Sequence, residues 1–274
     1  MYGKLVPPVM RELAQDEDVR HIVRDVHEQG LVVLRACSLP TLHRLLPLFG
    51  TSEVVLPAEH RLPGSTALRL QSNRPGQGVD GGGRYWHADG SWMAASMDVT
   101  LLLCLEAPNQ GGGTEFVDAA ALYDDWEPPE RAWLDTLVGV FPNRSTLAAD
   151  LRAMRLESSE MLARTQDTEH SVVRIHPYTG RRAVILNEVW MRSLRGMTQE
   201  EAVPVLRGLA ARVEASPRRY SHRWAVGDLL VWDNHRVLHR AAPIGAGATK
   251  VTVRARVPRL HRTNLQLRAA GDRG

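Results

Sequence analysis

Lysine is almost missing from this chain: of its 34 basic residues only Lys4 and Lys250 are lysines, and arginine supplies the rest. The basic residues are scattered and nearly balanced by 31 acids, leaving a net charge of +3. With no basic arm or patch, neither nucleic acid nor a membrane surface is an expected partner. Cysteine is scarce as well. Cys37 and Cys104 each sit in an apolar run, LVVLRAC and VTLLLCL, where a thiol behaves as a small buried hydrophobe rather than half of a disulfide. A reducing, cytoplasmic setting is therefore expected. No apolar run approaches the ~20 residues that cross a bilayer, and the first residues lack the charged-then-apolar pattern of a secretion signal. Aromatic residues are few at 5%, yet 43% hydrophobic against 24% charged is a globular balance that excludes disorder and collagen-like repeats.

What is present is a strand-rich pattern with helices set into it. Residues 16–29 carry Val19, Ile22, Val23 and Val26 at helical spacing, with Gly30 as the stop. LVVL at 31–34 reads as a buried strand, and Ser38 and Pro40 mark the start of a short helix reaching Gly50. Further strands are expected at 67–70, 99–105, 171–175, 183–186, 228–232 and 250–257. Helices are expected after Asp118, after Pro128-Pro129, and after Thr198, where Thr198 and Glu201 form a capping-box pattern. Strands and helices do not alternate as in a doubly wound fold. The expected class is mainly β with flanking helices (α+β), a sandwich or barrel. No repeat or linker divides the 274 residues, so one domain spanning 1–274 is expected. Two stretches, 75–83 (PGQGVDGGG) and 143–170, read as lids over a site.

The first chemically informative motif is Trp86-His87-Ala88-Asp89, directly after three glycines. In extended backbone, residues i and i+2 project to one face, so His87 and Asp89 can offer an imidazole and a carboxylate to one metal ion. A His-X-Asp pair arises often by chance, and taken alone it reads first as a polar turn after a glycine loop. Far downstream, Gly227-Asp228 opens an apolar run through Trp232-Asp233-Asn234, followed by His235 and His239. Two histidines and one carboxylate make the facial triad of non-haem Fe(II) oxygenases, which leaves coordination positions open. Spacing alone leaves either His235 or His239 as the third ligand.

Six ordered motifs give the chain a resemblance to the taurine dioxygenase-like, or 2,4-dichlorophenoxyacetate dioxygenase-like, Fe(II)/2-oxoglutarate-dependent oxygenases. Beside the His-X-Asp motif they are Gly111-Gly112-Gly113-Thr114-Glu115-Phe116, His176-Pro177-Tyr178-Thr179-Gly180-Arg181, Leu186-Asn187-Glu188, Gly196-Met197-Thr198, and Gly227-Asp228-Leu229 running into Trp232-Asp233-Asn234. The resemblance covers most of the chain, from near Leu42 to near Val257, and implies a double-stranded β-helix, a cupin-like jelly roll. It implies His87, Asp89 and His239 as the iron ligands, because the family's last histidine follows the tryptophan by seven residues. His235 stands where the family has arginine and is expected to be a hydrogen-bonded neighbour rather than a ligand.

The same resemblance implies 2-oxoglutarate and O2 as cosubstrates, with Thr114 as the hydroxyl that meets the far carboxylate. The family's anchoring arginine, eleven residues after the last ligand, falls on Lys250, and a second arginine four further on falls on Arg254. Lysine is a point charge without the bidentate fork, so either Lys250 anchors with altered geometry or Arg254 takes over. Gln71, Asn73, Tyr85 and Trp92 are expected to contact substrate. Asn187 is expected to orient a loop, Trp224 and Trp232 to be core aromatics, and the cluster of Arg218, Arg219, His222 and Arg223 to be a solvated face. The expected activity is hydroxylation of an unactivated C–H bond in a small metabolite or biosynthetic intermediate, an anionic one being what Arg254 would suit, with release of succinate and CO2. Desaturation or oxidative cleavage by the same oxidant, or a non-catalytic or zinc-dependent jelly roll, are the rivals. Retention of Asp89 argues against halogenation, and self-association is left open.

Overall fold

A computed structural model describes residues 9–12, 20–55, 58–79, 83–94, 96–142 and 167–258. Alternation of side chains along apolar strands explains its layers. In β2 (Leu31–Arg35), Val32 and Leu34 face one way and Leu31 and Val33 the other. Both faces are buried, as expected for a strand without polar alternation. β2 lies in a sheet of six strands ordered β1-β2-β12-β4-β14-β3. Its other members are β1 (Val9–Glu12), β3 (Arg69–Ser72), β4 (Val99–Glu106), β12 (Leu229–Asp233) and β14 (Val251–Val257).

One face of this sheet packs on α1 (Arg20–Gln29) and α2 (Leu39–Phe49). Ser38 is the N-cap of α2, and Pro47 lies inside the helix. An interior proline costs about 3 kcal/mol. Leu42, Leu45, Leu46 and Phe49 are all buried, and at about 1.5–3 kcal/mol each they outweigh it.

The other face carries Leu31, Val33, Leu102, Cys104, Leu230 and Trp232 into a core shared with Phe116 and Val237. These last two belong to a three-stranded sheet, β11-β5-β13, built from β11 (Arg219–His222), β5 (Thr114–Asp118) and β13 (Val237–Ala241). Two sheets face each other across that core, the jelly-roll arrangement. The outer face of the smaller sheet, through Val117 and Leu238, meets a further core with α3 (Ala119–Asp124), α4 (Pro128–Leu134) and α5 (Gln199–Glu214). Small sheets complete this layer: β6 (Val138–Phe141), β7 (Thr168–Ser171) and β10 (Ser193–Leu194) form one, and β8 (Val173–Ile175) and β9 (Arg182–Val184) another. The capping box at Thr198 and Glu201 opens α5, and the Asp118 side chain accepts from the backbone N–H groups that open α3.

Of the expected lids, 80–82 and 143–166 lie outside the described residues. The remainder is held by backbone pairing: Ser72 donates to the Val79 carbonyl at 2.9 Å, and β7 occupies the end of the second stretch. Both cysteines are free and buried. Among the described residues no helix is long and apolar enough to cross a membrane.

Candidate metal centre

Period-two geometry on β14 buries Val251, Val253, Ala255 and Val257 against the helices. It turns Lys250, Thr252 and Arg254 into a solvent-open cavity between the sheets. Gln71 and Asn73, at the end of β3, line the same cavity. At its wall stand His87, Asp89 and His239, with ligand atoms all within 4.8 Å of one another.

The peptide chain itself joins the first and last of these. His87 and His239 exchange both backbone hydrogen bonds, at 3.0 and 2.8 Å, so residues distant in sequence share one face of an isolated bridge. His87 Nδ1 donates to the Tyr85 carbonyl at 2.8 Å, which leaves the Nε2 lone pair for a metal. Gly83 makes room for that ring: its φ is +86°, and a Cβ there would lie 2.8 Å from His87 Cε1.

Asp89 is oriented by a chain of donors whose protons can be followed. Trp232 Nε1 and the Asp89 N–H both donate to Asn234 Oδ1, at 3.0 and 3.1 Å. Asn234 Nδ2 donates to Thr100 Oγ1 at 2.9 Å, and the Thr100 hydroxyl donates to Asp89 Oδ2 at 2.7 Å. Asp89 Oδ1 is left toward His87 Nε2 and an Arg254 guanidinium nitrogen, at 3.9 and 3.7 Å. Burial pushes the Asp89 carboxyl up, but Arg254, then His239 and Arg256, outweigh it and hold the group well below the usual carboxylate range. Burial pushes His87 down, and His239 is lowered to about 3 by burial and then by the neighbouring His87. A neutral imidazole pair facing an ionised carboxylate at neutral pH is ready to bind a cation without losing a proton. His239 Nδ1 is buried with no hydrogen-bond partner, and Nε2 is the nitrogen that faces Asp89.

A second set with the same residue types, His27, His176 and Asp233, is also buried. Its groups touch one another where those of the first set stand apart. His176 Nδ1 accepts the N–H groups of Tyr178 and Thr179 at 3.1 and 3.2 Å, so its proton sits on Nε2 and donates to Asp233 Oδ2 at 2.7 Å. His27 Nδ1 bonds the same oxygen. Here both imidazoles bond one carboxylate oxygen and the groups touch, with His27 Nε2 left buried and without a hydrogen-bond partner. In the first set, His87 Nε2 and His239 Nε2 each stand 3.9 Å from an Asp89 oxygen, too far for a direct bond and wide enough to admit an ion.

His235 lies in the turn between β12 and β13, not on a strand with His239, and its Nε2 is 2.8 Å from Asp98 Oδ1. A shared face for the two imidazoles would need continuous extended backbone, which this turn interrupts. At the far end of the cavity, Lys250 Nζ donates to the Gly112 carbonyl at 2.6 Å and lies 4.9 Å from the centre of the Trp224 ring. No carboxylate within ion-pair distance of it occurs among the described residues, and burial lowers it to about 8. Thr114 Oγ1 accepts the Trp224 indole N–H at 3.1 Å, which frees its own proton for an acceptor in the cavity.

The other sequence candidates divide. Gln71 faces the cavity, with Oε1 3.3 Å from the Thr252 hydroxyl. The Asn73 amide is committed to the loop before β14: it donates to the Ala248 carbonyl and accepts the Lys250 N–H, at 2.8 and 2.9 Å. Tyr85 and Trp92 pack beside Trp190 in the outer core, outside the cavity lining. Tyr85 accepts the Trp190 indole N–H at 2.6 Å, and burial raises its phenol to about 12. Asn187 does orient a loop: its side-chain oxygen accepts the N–H groups of Val189 and Trp190. Trp224 and Trp232 are buried with satisfied indoles, although Trp232 also borders the cavity. The expected solvated basic face is only partly so, because His222 is buried against Asp228 at 3.0 Å, where burial lowers it to about 4.

Sequence reasoning missed Arg84 at the cavity mouth, which follows a glycine run and belongs to no pattern. It also missed the clamp behind the histidines. Trp86 donates to Glu214 at 2.9 Å, and Arg240 lies 4.5 Å from the centre of the Trp86 ring while donating to Glu115 and Glu214, each at 2.6 Å. The clamp thus ties the residue before His87 to the residue after His239.

Comparisons with known proteins identify the family and the fold. The chain is 31% identical over 164 residues to an alpha-ketoglutarate-dependent sulfate ester dioxygenase of Pseudomonas putida, covering 57% of this chain and 53% of the relative. It is 28% identical over 200 residues to an (S)-phenoxypropionate/alpha-ketoglutarate-dioxygenase of Sphingobium herbicidovorans, covering 71% and 69%. The match to the first of these, and to a similar dioxygenase of Delftia acidovorans at 56%, spans about half of the relative's length. In fold, the chain resembles the crystal structure of a taurine dioxygenase from Burkholderia xenovorans, with TM-score 0.73 and 19% identity over 93% of this chain and 88% of the other. The model of one family, taurine catabolism dioxygenase TauD, TfdA, matches residues 8–262, and the chain belongs to that family.

Proposed function

We propose that the protein is an Fe(II)- and 2-oxoglutarate-dependent oxygenase that hydroxylates a C–H bond of a small anionic molecule. Substrate, 2-oxoglutarate and O2 become hydroxylated product, succinate and CO2. The observation that carries this reading is a single cavity holding a metal-ready triad at one end and, at the other, a half-buried ammonium without a carboxylate partner beside a hydroxyl with a free proton.

His87, Asp89 and His239 would hold the iron, which supplies activation of O2 and of the 2-oxo acid. Lys250 binds the far carboxylate of the cosubstrate, and Thr114 donates to it. Arg254 sits at the metal end, beside Asp89, and meets the anionic group of the substrate together with Arg84 at the mouth. Relatives named for sulfate esters and phenoxypropionate, both anionic, support that substrate class. Gln71 contacts substrate. The apolar wall formed by Leu102 and Ile244 excludes water from the reacting carbon. The chain acts as one domain in a cytoplasmic setting.

The test is succinate formation from 2-oxoglutarate with Fe(II), O2 and a panel of alkyl sulfates, sulfonates and aryloxy acids. Substrate-dependent succinate is expected. Its absence across the panel, together with no change in visible absorption when Fe(II) and 2-oxoglutarate are added anaerobically, overturns the reading.

A further inference from the structure

The buried cluster of His27, His176 and Asp233 has its groups in direct contact and places two imidazoles on one carboxylate oxygen. Asp233 is fully buried, and burial alone pushes its carboxyl up. Hydrogen bonds from His176 and then His27 more than offset this, so the group stays ionised. Its other oxygen accepts the His235 N–H at 2.8 Å, closing a turn of the kind aspartate side chains form with the backbone two residues on. The next residue is Asn234, which accepts the Asp89 N–H and, through Thr100, sets Asp89 Oδ2.

We propose that His176 is a positioning residue for the metal-binding carboxylate, acting through Asp233 and Asn234 on Asp89. The inference rests on the reading of His87, Asp89 and His239 as the metal site. Its physical basis is the demand of a buried charge. A carboxylate with no exposure is held in place by its donors, and without His176 only His27 remains on Oδ2, so the group tilts toward His27. Rotation of Asp233 disturbs the turn whose backbone is otherwise held by Asp233 N–H to the Gly30 carbonyl and Asn234 N–H to the Asp98 carbonyl, both at 2.9 Å. The Asn234 carboxamide moves with it. His176 is suited to the role because two backbone N–H groups fix its tautomer as a donor toward Asp233. Three parts of the molecule meet here: His27 comes from α1, His176 from the turn after β8, and Asp233 from the end of β12. Asp98 and Tyr178 extend the network, with the Tyr178 hydroxyl donating to Asp98 Oδ2 at 2.9 Å and His235 on the other oxygen.

The test uses the full chain, Mn(II) titration followed by electron paramagnetic resonance, the visible spectrum of the Co(II) form, and the melting temperature. For His176→Phe we expect Mn(II) affinity to fall about tenfold, the scale on which outer partners of metal ligands act, with shifted Co(II) bands. His176→Gln, which retains an N–H donor within reach of Asp233, restores affinity to within about threefold. A His176→Phe variant that melts lower but keeps the parent Mn(II) affinity and Co(II) spectrum overturns the proposal, since the cluster then only supports the core. Two Mn(II) bound per parent chain and one in His176→Phe also overturn it, by making the cluster a metal site itself. If His176→Phe does not fold, His27→Phe, which removes the other donor, is read by the same criteria. His87→Ala separates the two inferences: if it binds Mn(II) as tightly as the parent chain, the metal-site reading fails, and the proposal with it.

Discussion

His87 and His239 are backbone partners, each donating its N–H to the other's carbonyl across an isolated antiparallel bridge. The spacing of the candidate metal site is therefore set by main-chain hydrogen bonds rather than by side-chain packing alone. His235 has no such partner and is turned toward Asp98. His239→Ala is expected to lower Mn(II) affinity by more than the about 10–100-fold typical of outer-shell changes, while His235→Ala retains binding. Equilibrium dialysis with metal analysis reads both, and the reverse pattern would exchange the assignments.

Gly83 faces the His87 ring in a left-handed conformation. Gly83→Ala meets two penalties, a backbone cost of about 1–2 kcal/mol and a methyl group where the ring now sits. Weaker Mn(II) binding with circular dichroism unchanged is the expected outcome. A parent-like affinity would show that the ring has room to move aside.

Lys250 is lowered to about 8 by burial, and only its protonated form attracts a carboxylate. The charge is present at pH 7 and lost as pH rises through 8, so 2-oxoglutarate affinity falls above pH 8, approaching about tenfold per unit. Lys250→Ala removes a charge-assisted bond of about 1.5–3 kcal/mol, roughly 10- to 100-fold in affinity. Lys250→Arg stays charged and should bind without this alkaline loss. Anaerobic titration of the Fe(II) protein from pH 7 to 10 measures all three, and a flat profile for the parent chain would remove Lys250 from the anchoring role.

Thr100 relays between Asn234 and Asp89. Thr100→Val keeps the shape and strands the Asn234 amide, at a cost of about 1–3 kcal/mol, or about 2–4 °C in melting temperature per kcal/mol. Metal affinity should fall as well. A lower melting temperature without any change in metal binding would limit Thr100 to stability.

Arg254 lies 3.7 Å from Asp89 Oδ1, at the metal end of the cavity. Arg254→Gln is expected to raise KM for an anionic substrate at least about tenfold, the loss of one charge-assisted hydrogen bond, with a smaller effect on 2-oxoglutarate. Steady-state succinate assays varying each in turn give the split. Equal affinity for both, compared with the parent chain, would exclude Arg254 from either role.

Much of the architecture was legible because it depends on local rules. Val32 and Leu34 against Leu31 and Val33, the cap at Ser38 and the capping box at Thr198 are read from period and short-range chemistry. β13 was not set apart as a strand, since Val237–Ala241 is short and mixes apolar with charged residues. β1 was missed because Val9–Glu12 is a short, half-exposed edge strand whose only support is parallel pairing with β2.

The linear order of residues settled the chemistry on offer: a His-X-Asp pair, a later histidine at the family's spacing, a Gly-Gly-Gly-Thr motif and one late lysine in an arginine-rich chain. Beyond the family resemblance, identity and spacing do not reveal which histidines and carboxylates bond one another and which stand apart. The folded chain decides that. It hydrogen-bonded His27 and His176 directly to Asp233, and held His87, Asp89 and His239 apart at the wall of a cavity. It also separated Lys250 from Arg254, one near Gly112 and the other beside Asp89. Such distinctions arise from contacts between distant segments, which no local pattern encodes.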